Sequence, residues 1–219
     1  MPPVLYVVDR DTQSFEKARL SANVVCAGDS ITGWNNFGGV SEWPYRTYPE
    51  FLQRLCKPLL LTIANGGIAG EVSLNGPGQV QDYLTLFPNA RYFVVGYGTN
   101  DFGMWLNVEQ TSPMIIENLN KMVQAIRDSG RQPILLNVPY ANESVFPRGI
   151  AMELHAHRDY HNDRLKAFCL ENRVPLVDIA SRLRDEHFAD ELHPNDDGAQ
   201  VIAQEVFGVL GKVHSKTQV

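Results

Sequence analysis

The chain has 219 residues, of which 44% are hydrophobic and 20% are charged, the balance of an ordinary globular protein. Its formal net charge of −6 disfavours nucleic acid and anionic lipid surfaces as partners, because both are polyanions. No apolar run is long enough for a membrane span, and the three cysteines form neither a CxxC motif nor a disulfide framework. The first twenty residues lack the pattern of a signal peptide, because charges follow a short apolar piece where a cleavage site should be. We therefore expect a soluble cytoplasmic protein, while its oligomeric state is not indicated.

Five apolar segments of strand length recur along the chain. They span residues 23–27, 59–64, 91–97, 133–138 and 175–179. Gly28 follows the first segment, the cluster Asn65-Gly66-Gly67 reads as a turn after the second, and Gly98 follows the third. Strands that are apolar along their whole length are typical of a parallel sheet buried on both faces.

Amphipathic segments separate these strands. They span residues 48–57, about 80–87, 112–130, 154–172 and 195–211. Ser112 followed by Pro113 predicts the start of the third helix, and Gly130 predicts its end. Alternating strands and helices predict a three-layer α/β/α domain with right-handed crossovers.

The sequence predicts one domain over residues 1–219, because no repeat or linker divides the chain. Residues 1–21 form an N-terminal extension, which either adds an edge strand and a short helix or lies across the surface. Residues 214–219 are expected to form a loose tail.

Ligands of open parallel sheets bind beyond the carboxyl ends of the strands, where the first strand runs into Gly28-Asp29-Ser30. A sharp turn at this point would present the Ser30 hydroxyl as a nucleophile, although Ser30 could instead cap the next segment or help to bind phosphate. Thr32 stands where the GxSxG elbow of α/β-hydrolases has its second glycine. Neither nucleotide-binding glycine motif, GxxxxGK[ST] or GxGxxG, is present here.

Two further motifs follow the second and third strands. The block from Asn65 to Gly70 contains three glycines, so its amides could point at an anion or simply form a turn. Asn100, after the third strand, could donate its side-chain amide to developing negative charge or begin an Asx turn.

A carboxylate precedes an imidazole by three residues at Asp190 and His193. In a turn, Asp190 can reach one ring nitrogen, fix the tautomer and leave the other nitrogen as a base, although His193 could also be a surface residue near a helix start. Together the four motifs supply a nucleophile, two donors and an oriented base at one edge of one sheet. Those are the parts of an acyl-transfer site.

The sequence resembles the SGNH (GDSL-type) hydrolases from about residue 23 to the last helix. It matches their four blocks in order, with Gly28-Asp29-Ser30, Asn65-x-Gly67-x-x-Gly70, Gly98-x-Asn100-Asp101 and Asp190-x-x-His193. The resemblance implies a flavodoxin-like sheet of five parallel strands in the order 2-1-3-4-5. It also implies that Ser30 is the nucleophile, His193 the base and Asp190 its orienter. The Ser30 amide, the Gly70 amide and the Asn100 side chain would form the oxyanion hole.

The activity implied by this resemblance is hydrolysis of small-molecule carboxylic esters without a cofactor, by a small-acyl esterase or lipase or by a sugar-ester deacetylase. A thioesterase or lysophospholipase could use the same triad. A protein of another class, a non-catalytic flavodoxin-like binder of flavin or another anion, would leave Asp190 and His193 without a role.

Aromatic residues are frequent in the loops that follow the strands. Trp34, Trp105 and Tyr140 could line an acyl or sugar pocket, or could pack the loops onto the sheet. With Asp29 they are the candidate substrate-binding residues. His157 and His161 stand four residues apart, but no cysteine or carboxylate completes a ligand set, so we expect no metal site.

Overall fold

The computed structural model describes residues 6–7, 20–33, 44–102, 107–145 and 148–216. Six strands in these ranges form one sheet in the order β1-β3-β2-β4-β5-β6. They are β1 (Tyr6–Val7), β2 (Val24–Gly28), β3 (Ile63–Gly67), β4 (Tyr92–Gly96), β5 (Gln132–Leu136) and β6 (Leu176–Val177). The short β1 pairs antiparallel with β3, while the other strands are parallel. The five parallel strands therefore have the expected order 2-1-3-4-5, and β1 is the edge strand considered for the N-terminal extension.

Helices connect the parallel strands. They are α1 (Tyr48–Cys56), α2 (Gly76–Leu86), α3 (Thr99–Phe102), α4 (Val108–Asp128), α5 (Arg148–Glu171) and α6 (Asp196–Lys216). Short 3₁₀ turns occur at Lys57–Leu59, Ser73–Asn75 and Asp185–His187. No helix in the described ranges is both long enough and apolar enough to cross a bilayer.

Alternate residues of each central strand enter two separate hydrophobic cores. In β2, Val25 and Ala27 pack in the core that α2, α4 and α5 cover, while Val24 and Cys26 pack in the core under α1 and α6. All four side chains are fully buried. Burial on both faces explains why the strands are apolar at every position and confirms the three-layer arrangement.

The glycine cluster after the second apolar segment was wrongly expected to be a turn. Leu60 takes a left-handed conformation (φ 56°) after a 3₁₀ turn, so β3 begins only at Ile63 and continues through Gly67. Gly66 is needed there for packing, because a Cβ atom on it would lie 2.8 Å from the Tyr83 ring. The Tyr83 hydroxyl also donates a hydrogen bond to the Gly66 carbonyl (2.6 Å). Glycine marks a close contact between strand and helix at this position rather than a change of chain direction.

Two other boundaries also differ from the expectation. The cap of α4 is Asn107, which accepts a hydrogen bond from the Glu109 amide (2.7 Å), so Pro113 lies inside the helix. The C-terminal helix continues to Lys216, and His214 is buried with its Nδ1 2.9 Å from the Tyr92 hydroxyl. A tail that is loose from residue 214 is therefore wrong, while residues 217–219 lie outside the described ranges.

We expect Gly28→Ala to destabilise the fold, because a Cβ atom there would lie 2.4 Å from the Gly96 carbonyl oxygen and 2.4 Å from Thr32 Oγ1. The loss in the free energy of unfolding should be about 1–3 kcal/mol, measured by urea denaturation. Gly208→Ala is the matched control, because its Cβ would have open space on a helix, where alanine is favoured by roughly 0.5–1 kcal/mol. Equal effects of the two substitutions would contradict the packing argument.

Candidate active site

A tight turn after β2 presents Ser30. The amides of Thr32 and Gly33 both donate to the Asp29 carbonyl (3.1 and 3.0 Å), and the Ile31 amide donates to Asp29 Oδ1 (3.0 Å). Asp29 is buried, with 2% of its surface exposed, and Ser30 is 6% exposed. The Asp29 carboxylate shapes the turn that carries Ser30 and does not face solvent.

Strand β3 supports this turn from behind. A Cβ atom on Gly67 would lie 2.2 Å from the Gly33 amide nitrogen, so the two segments are in direct backbone contact. The Ile68 amide donates to the Gly28 carbonyl (2.9 Å). Close contact between two backbones leaves the turn little freedom to move, which fixes the position of the Ser30 hydroxyl.

The Asp190–His193 segment approaches from the far end of the chain. Asp190 Oδ1 accepts hydrogen bonds from the amides of Leu192 (2.8 Å) and His193 (2.7 Å), and this arrangement folds the segment into a turn. Asp190 Oδ2 then lies 2.7 Å from His193 Nδ1. On the other side of the ring, His193 Nε2 lies 2.9 Å from Ser30 Oγ. The structure thus brings the three residues into one hydrogen-bonded chain.

The charge on Asp190 determines which way these hydrogen bonds run. Burial raises the pKa of Asp190, but the hydrogen bonds from the His193 and Leu192 amides and from the His193 ring outweigh burial and hold it below its ordinary value. The carboxylate is therefore ionised at neutral pH and accepts a hydrogen bond from His193 Nδ1–H. His193 Nε2 is then left as the acceptor for the Ser30 hydroxyl.

Asn142, which sequence analysis missed, holds the Asp190 turn in place. Its amide nitrogen donates to the Glu191 carbonyl (2.9 Å), and its side-chain Nδ2 donates to the Asp190 carbonyl (3.2 Å). Its Oδ1 accepts hydrogen bonds from the Ser144 amide (3.1 Å) and hydroxyl (2.6 Å), which orients the side chain. The Asn142-x-Ser144 pattern could have indicated a local Asx turn, but nothing in it names a partner 48 residues away.

The two expected side-chain and amide donors lie on the same edge of the sheet as Ser30. Asn100 is in α3, directly after β4, and one N–H of its side chain donates to the Glu71 carbonyl (2.8 Å). Gly70 precedes Glu71 in an exposed turn and has a φ of +77°, a conformation that favours glycine. Asp101, the residue after Asn100, accepts hydrogen bonds from the amide and hydroxyl of Ser73. Together Asn100 and Asp101 tie α3 to the loop that carries Gly70.

The remaining candidates are placed differently. Tyr140 donates a hydrogen bond to Asp159 and lines a groove of about 490 Å³ between α5 and β6, whose lining includes none of Ser30, Asp190 and His193. Trp34 and Trp105 lie outside the described ranges. His161, considered for a metal pair, is fully buried, with its Nδ1 3.0 Å from Ser112 Oγ.

Known proteins share both sequence pattern and fold with this chain. The sequence model of the GDSL-like lipase/acylhydrolase family matches residues 26–201. None of the curated proteins matches the sequence.

Similar folds occur among solved structures. A GDSL-like lipase from Bacteroides thetaiotaomicron has a TM-score of 0.65 at 18% identity, over 92% of this chain and 92% of that one. A catalytic mutant of an acetylxylan esterase from Geobacillus stearothermophilus has a TM-score of 0.66 at 16% identity, over 88% and 95%. A lipolytic G-D-S-L protein from Veillonella parvula has a TM-score of 0.65 at 18% identity, over 87% and 98%.

If His193 activates Ser30, we expect Asn142→Ala to slow the reaction of Ser30 with a fluorophosphonate roughly 10- to 100-fold, because the substitution lets the Asp190 turn and His193 shift. Asn142→Asp should behave similarly, since it keeps the acceptor for Ser144 and loses the donor to the Asp190 carbonyl. The rate is measured by mass spectrometry of the labelled protein. Asn120→Ala is the control, because the Asn120 side chain accepts a hydrogen bond from Gln124 at the surface of α4 and has no other side-chain bond among the described residues. Unchanged labelling in both Asn142 variants would show that the Asp190 turn holds its position without this residue.

Stability should depend on pH through Asp29. Burial raises the pKa of Asp29 from 3.8 to about 7, and the charge of Asp101 acts in the same direction against the hydrogen bond from the Ile31 amide. The folded chain therefore binds this proton more tightly than the unfolded chain, so the contribution of Asp29 to stability falls as the pH rises between these two values. The difference in the free energy of unfolding between the wild type and Asp29→Asn, measured by urea denaturation at each pH, should show this decline. A difference that is constant from pH 4 to pH 7 would contradict it.

Proposed function

Because the chain belongs to the GDSL-like lipase/acylhydrolase family and is a hydrolase acting on esters, we propose that it cleaves carboxylic esters through an acyl-enzyme on Ser30. The observation that carries this proposal is the 2.9 Å contact between Ser30 Oγ and His193 Nε2, with Asp190 bound to the opposite ring nitrogen. A serine hydroxyl is a weak nucleophile until a neighbouring base takes its proton. This arrangement provides such a base.

The acylation step follows from these contacts. His193 Nε2 takes the proton of Ser30 while Ser30 Oγ attacks the ester carbonyl carbon, and the carbonyl electron pair moves onto its oxygen. Asp190 remains ionised and stabilises the imidazolium through the Nδ1 hydrogen bond. As the tetrahedral intermediate collapses, the bond to the alcohol oxygen breaks, and His193 gives its proton to the departing alcohol.

Deacylation repeats the sequence with water as the nucleophile. His193 takes a proton from water, which attacks the acyl-enzyme, and then returns a proton to Ser30 Oγ as the acid leaves. In both steps, the Ser30 amide, the Gly70 amide and the second N–H of Asn100 are the proposed donors to the oxyanion. The bond between Asn100 and the Glu71 carbonyl supports this role, because it fixes the amide group and still leaves one N–H unspent.

The proposed substrates are small-acyl esters, including acetyl esters of sugars. The structural similarity to an acetylxylan esterase supports deacetylation. At 16% sequence identity, this similarity is one of fold and does not extend to the substrate. A panel of acetyl sugars, simple alkyl esters, thioesters and lysophospholipids separates the proposed activity from thioesterase and lysophospholipase activity. The cytoplasmic location stays a proposal too, supported by three buried cysteines that form no disulfide.

Ser30→Ala tests the nucleophile directly. We expect kcat for ester hydrolysis to fall roughly 10⁴-fold or more, and the fluorophosphonate adduct on the residue-30 peptide to disappear. Ser215→Ala is the control, because its exposed hydroxyl donates to the Gly211 carbonyl within α6 and has no other bond in the described part of the chain. Full esterase activity in pure Ser30→Ala protein would disprove the assignment. A yellow protein that does not react with fluorophosphonate would favour a flavin-binding role.

A further inference from the structure

Arg158 in α5 is a buried cation, with only 2% of its surface exposed. Its Nε and Nη1 atoms have no hydrogen-bond partner among the residues that the structure describes. Three other arginines in the described ranges do have partners. Arg131 donates to the Leu84 carbonyl (2.8 Å), Arg127 donates to the Asn172 carbonyl (2.8 Å), and Arg46 pairs with Asp196.

The position of Arg158 along α5 places it on the side of the sheet where Ser30 lies. Asn162 accepts from the Val138 amide (3.0 Å) and donates to the Val138 carbonyl (2.8 Å), two residues beyond the end of β5. Because α5 connects two parallel strands, its first residues lie at the carboxyl edge of the sheet and its last residues at the opposite edge. Arg158 is one helical turn before Asn162, about 6 Å farther along the axis toward the carboxyl edge and beyond it.

The nearby contacts support this placement. His161, on the same side of α5, packs its ring against Phe102 at a centroid distance of 5.3 Å. Phe102 ends α3, the short helix that carries Asn100. The negative charge of Asp29 also acts on Arg158: burial lowers the pKa of the guanidinium, and the charge of Asp29 raises it. Arg158 therefore lies on α5 at the edge of the sheet that carries the serine turn and the Asn100 segment.

No carboxylate in the described part of the chain forms an ion pair with Arg158. Burial lowers its pKa to about 10, so the guanidinium still carries its charge at neutral pH. The Asp29 carboxylate accepts from the Ile31 amide and forms no hydrogen bond with Arg158. A buried charge without a hydrogen-bonded partner is unfavourable, and an apolar residue of similar volume is often at least as stable in such a position. Arg158 is thus costly in the ligand-free protein.

We propose that Arg158 binds a carboxylate carried by the ester substrate, so that this hydrolase prefers esters with an anionic group. The inference deepens the function proposed above and rests on it, because it names the class of ester. A carboxylate would satisfy the N–H groups with charge-assisted hydrogen bonds, which are strong where water is excluded. A neutral ester of the same size would leave the guanidinium unpaired. The preference for anionic esters therefore arises from the unpaired N–H groups of Arg158 and not from the shape of the ligand.

Two pairs of matched esters test the preference. Monoethyl succinate against ethyl pentanoate places the charge in the acyl part, and acetoxybenzoate against phenyl acetate places it in the alcohol part. The charge has to stand in the part of the ester that reaches Arg158, so we expect a preference in one of the two pairs. In that pair, kcat/KM should favour the anionic ester by roughly 10- to 100-fold, the range of a hydrogen bond to a charged group. Arg158→Met should bring that ratio near one while it changes kcat/KM of the neutral ester little, and Arg158→Lys should retain part of it. Arg164→Met, which removes an exposed arginine of the same helix, is the control.

Binding without turnover separates this inference from the proposed function. Succinate should raise the Tm of the wild type and of Arg164→Met at constant ionic strength, but not that of Arg158→Met, and neutral succinamide should shift none of them. These shifts are expected even if no ester is cleaved. Arg158→Met itself should unfold at the same temperature as the wild type or at a higher one. Equal losses of kcat/KM for anionic and neutral esters, or succinate shifts that are unchanged in Arg158→Met and Arg158→Lys, would overturn the proposal and leave Arg158 as a structural residue.

Discussion

The hydrogen bond between Ser30 and His193 joins two residues that are 163 positions apart, and the proposed chemistry depends on it. One hydrogen bond contributes only about 1 kcal/mol, far less than the entropy lost when so long a loop is closed. The contact therefore exists only because the parallel sheet and its two hydrophobic cores already hold both ends. Gly28, Gly67 and the Asp29 turn fix the serine, while Asn142 and the Asp190 turn fix the imidazole. Each side is rigid through backbone hydrogen bonds that are independent of the contact itself.

Much of this arrangement could be predicted from the sequence, because the chemistry is carried by short motifs at the ends of apolar strands. The uniform apolar character of the strands predicted a sheet buried on both faces, and the two cores of β2 show why. The turn character given to Asn65-Gly66-Gly67 was wrong, because glycine has two uses that look alike in a sequence. At Gly66 it makes room for the Tyr83 ring, and at Gly67 it makes room for the Gly33 backbone.

Other features depend on partners that are distant in sequence and could not be predicted. Asn142 resembles any asparagine in a loop until the fold places the Asp190 and Glu191 carbonyls beside it. Arg158 looks like a solvated residue of an amphipathic helix, since arginine is seldom fully buried. In the folded chain it is 2% exposed and lies one helical turn before Asn162, which bonds the Val138 backbone just beyond the end of β5. The sequence alone shows neither this burial nor this position.

Asp29 and Arg158 are two buried residues of opposite charge, and the serine turn uses one of them. Where two opposite charges are both buried, a hydrogen bond between them lowers the free-energy cost of burying each. The Asp29 carboxylate instead accepts a hydrogen bond from the Ile31 amide in the turn that presents Ser30. Among the described residues, neither Nε nor Nη1 of Arg158 has a hydrogen-bond partner. The Arg158 guanidinium therefore has N–H groups without an acceptor among the described residues. In our proposal, a carboxylate of the substrate accepts from them.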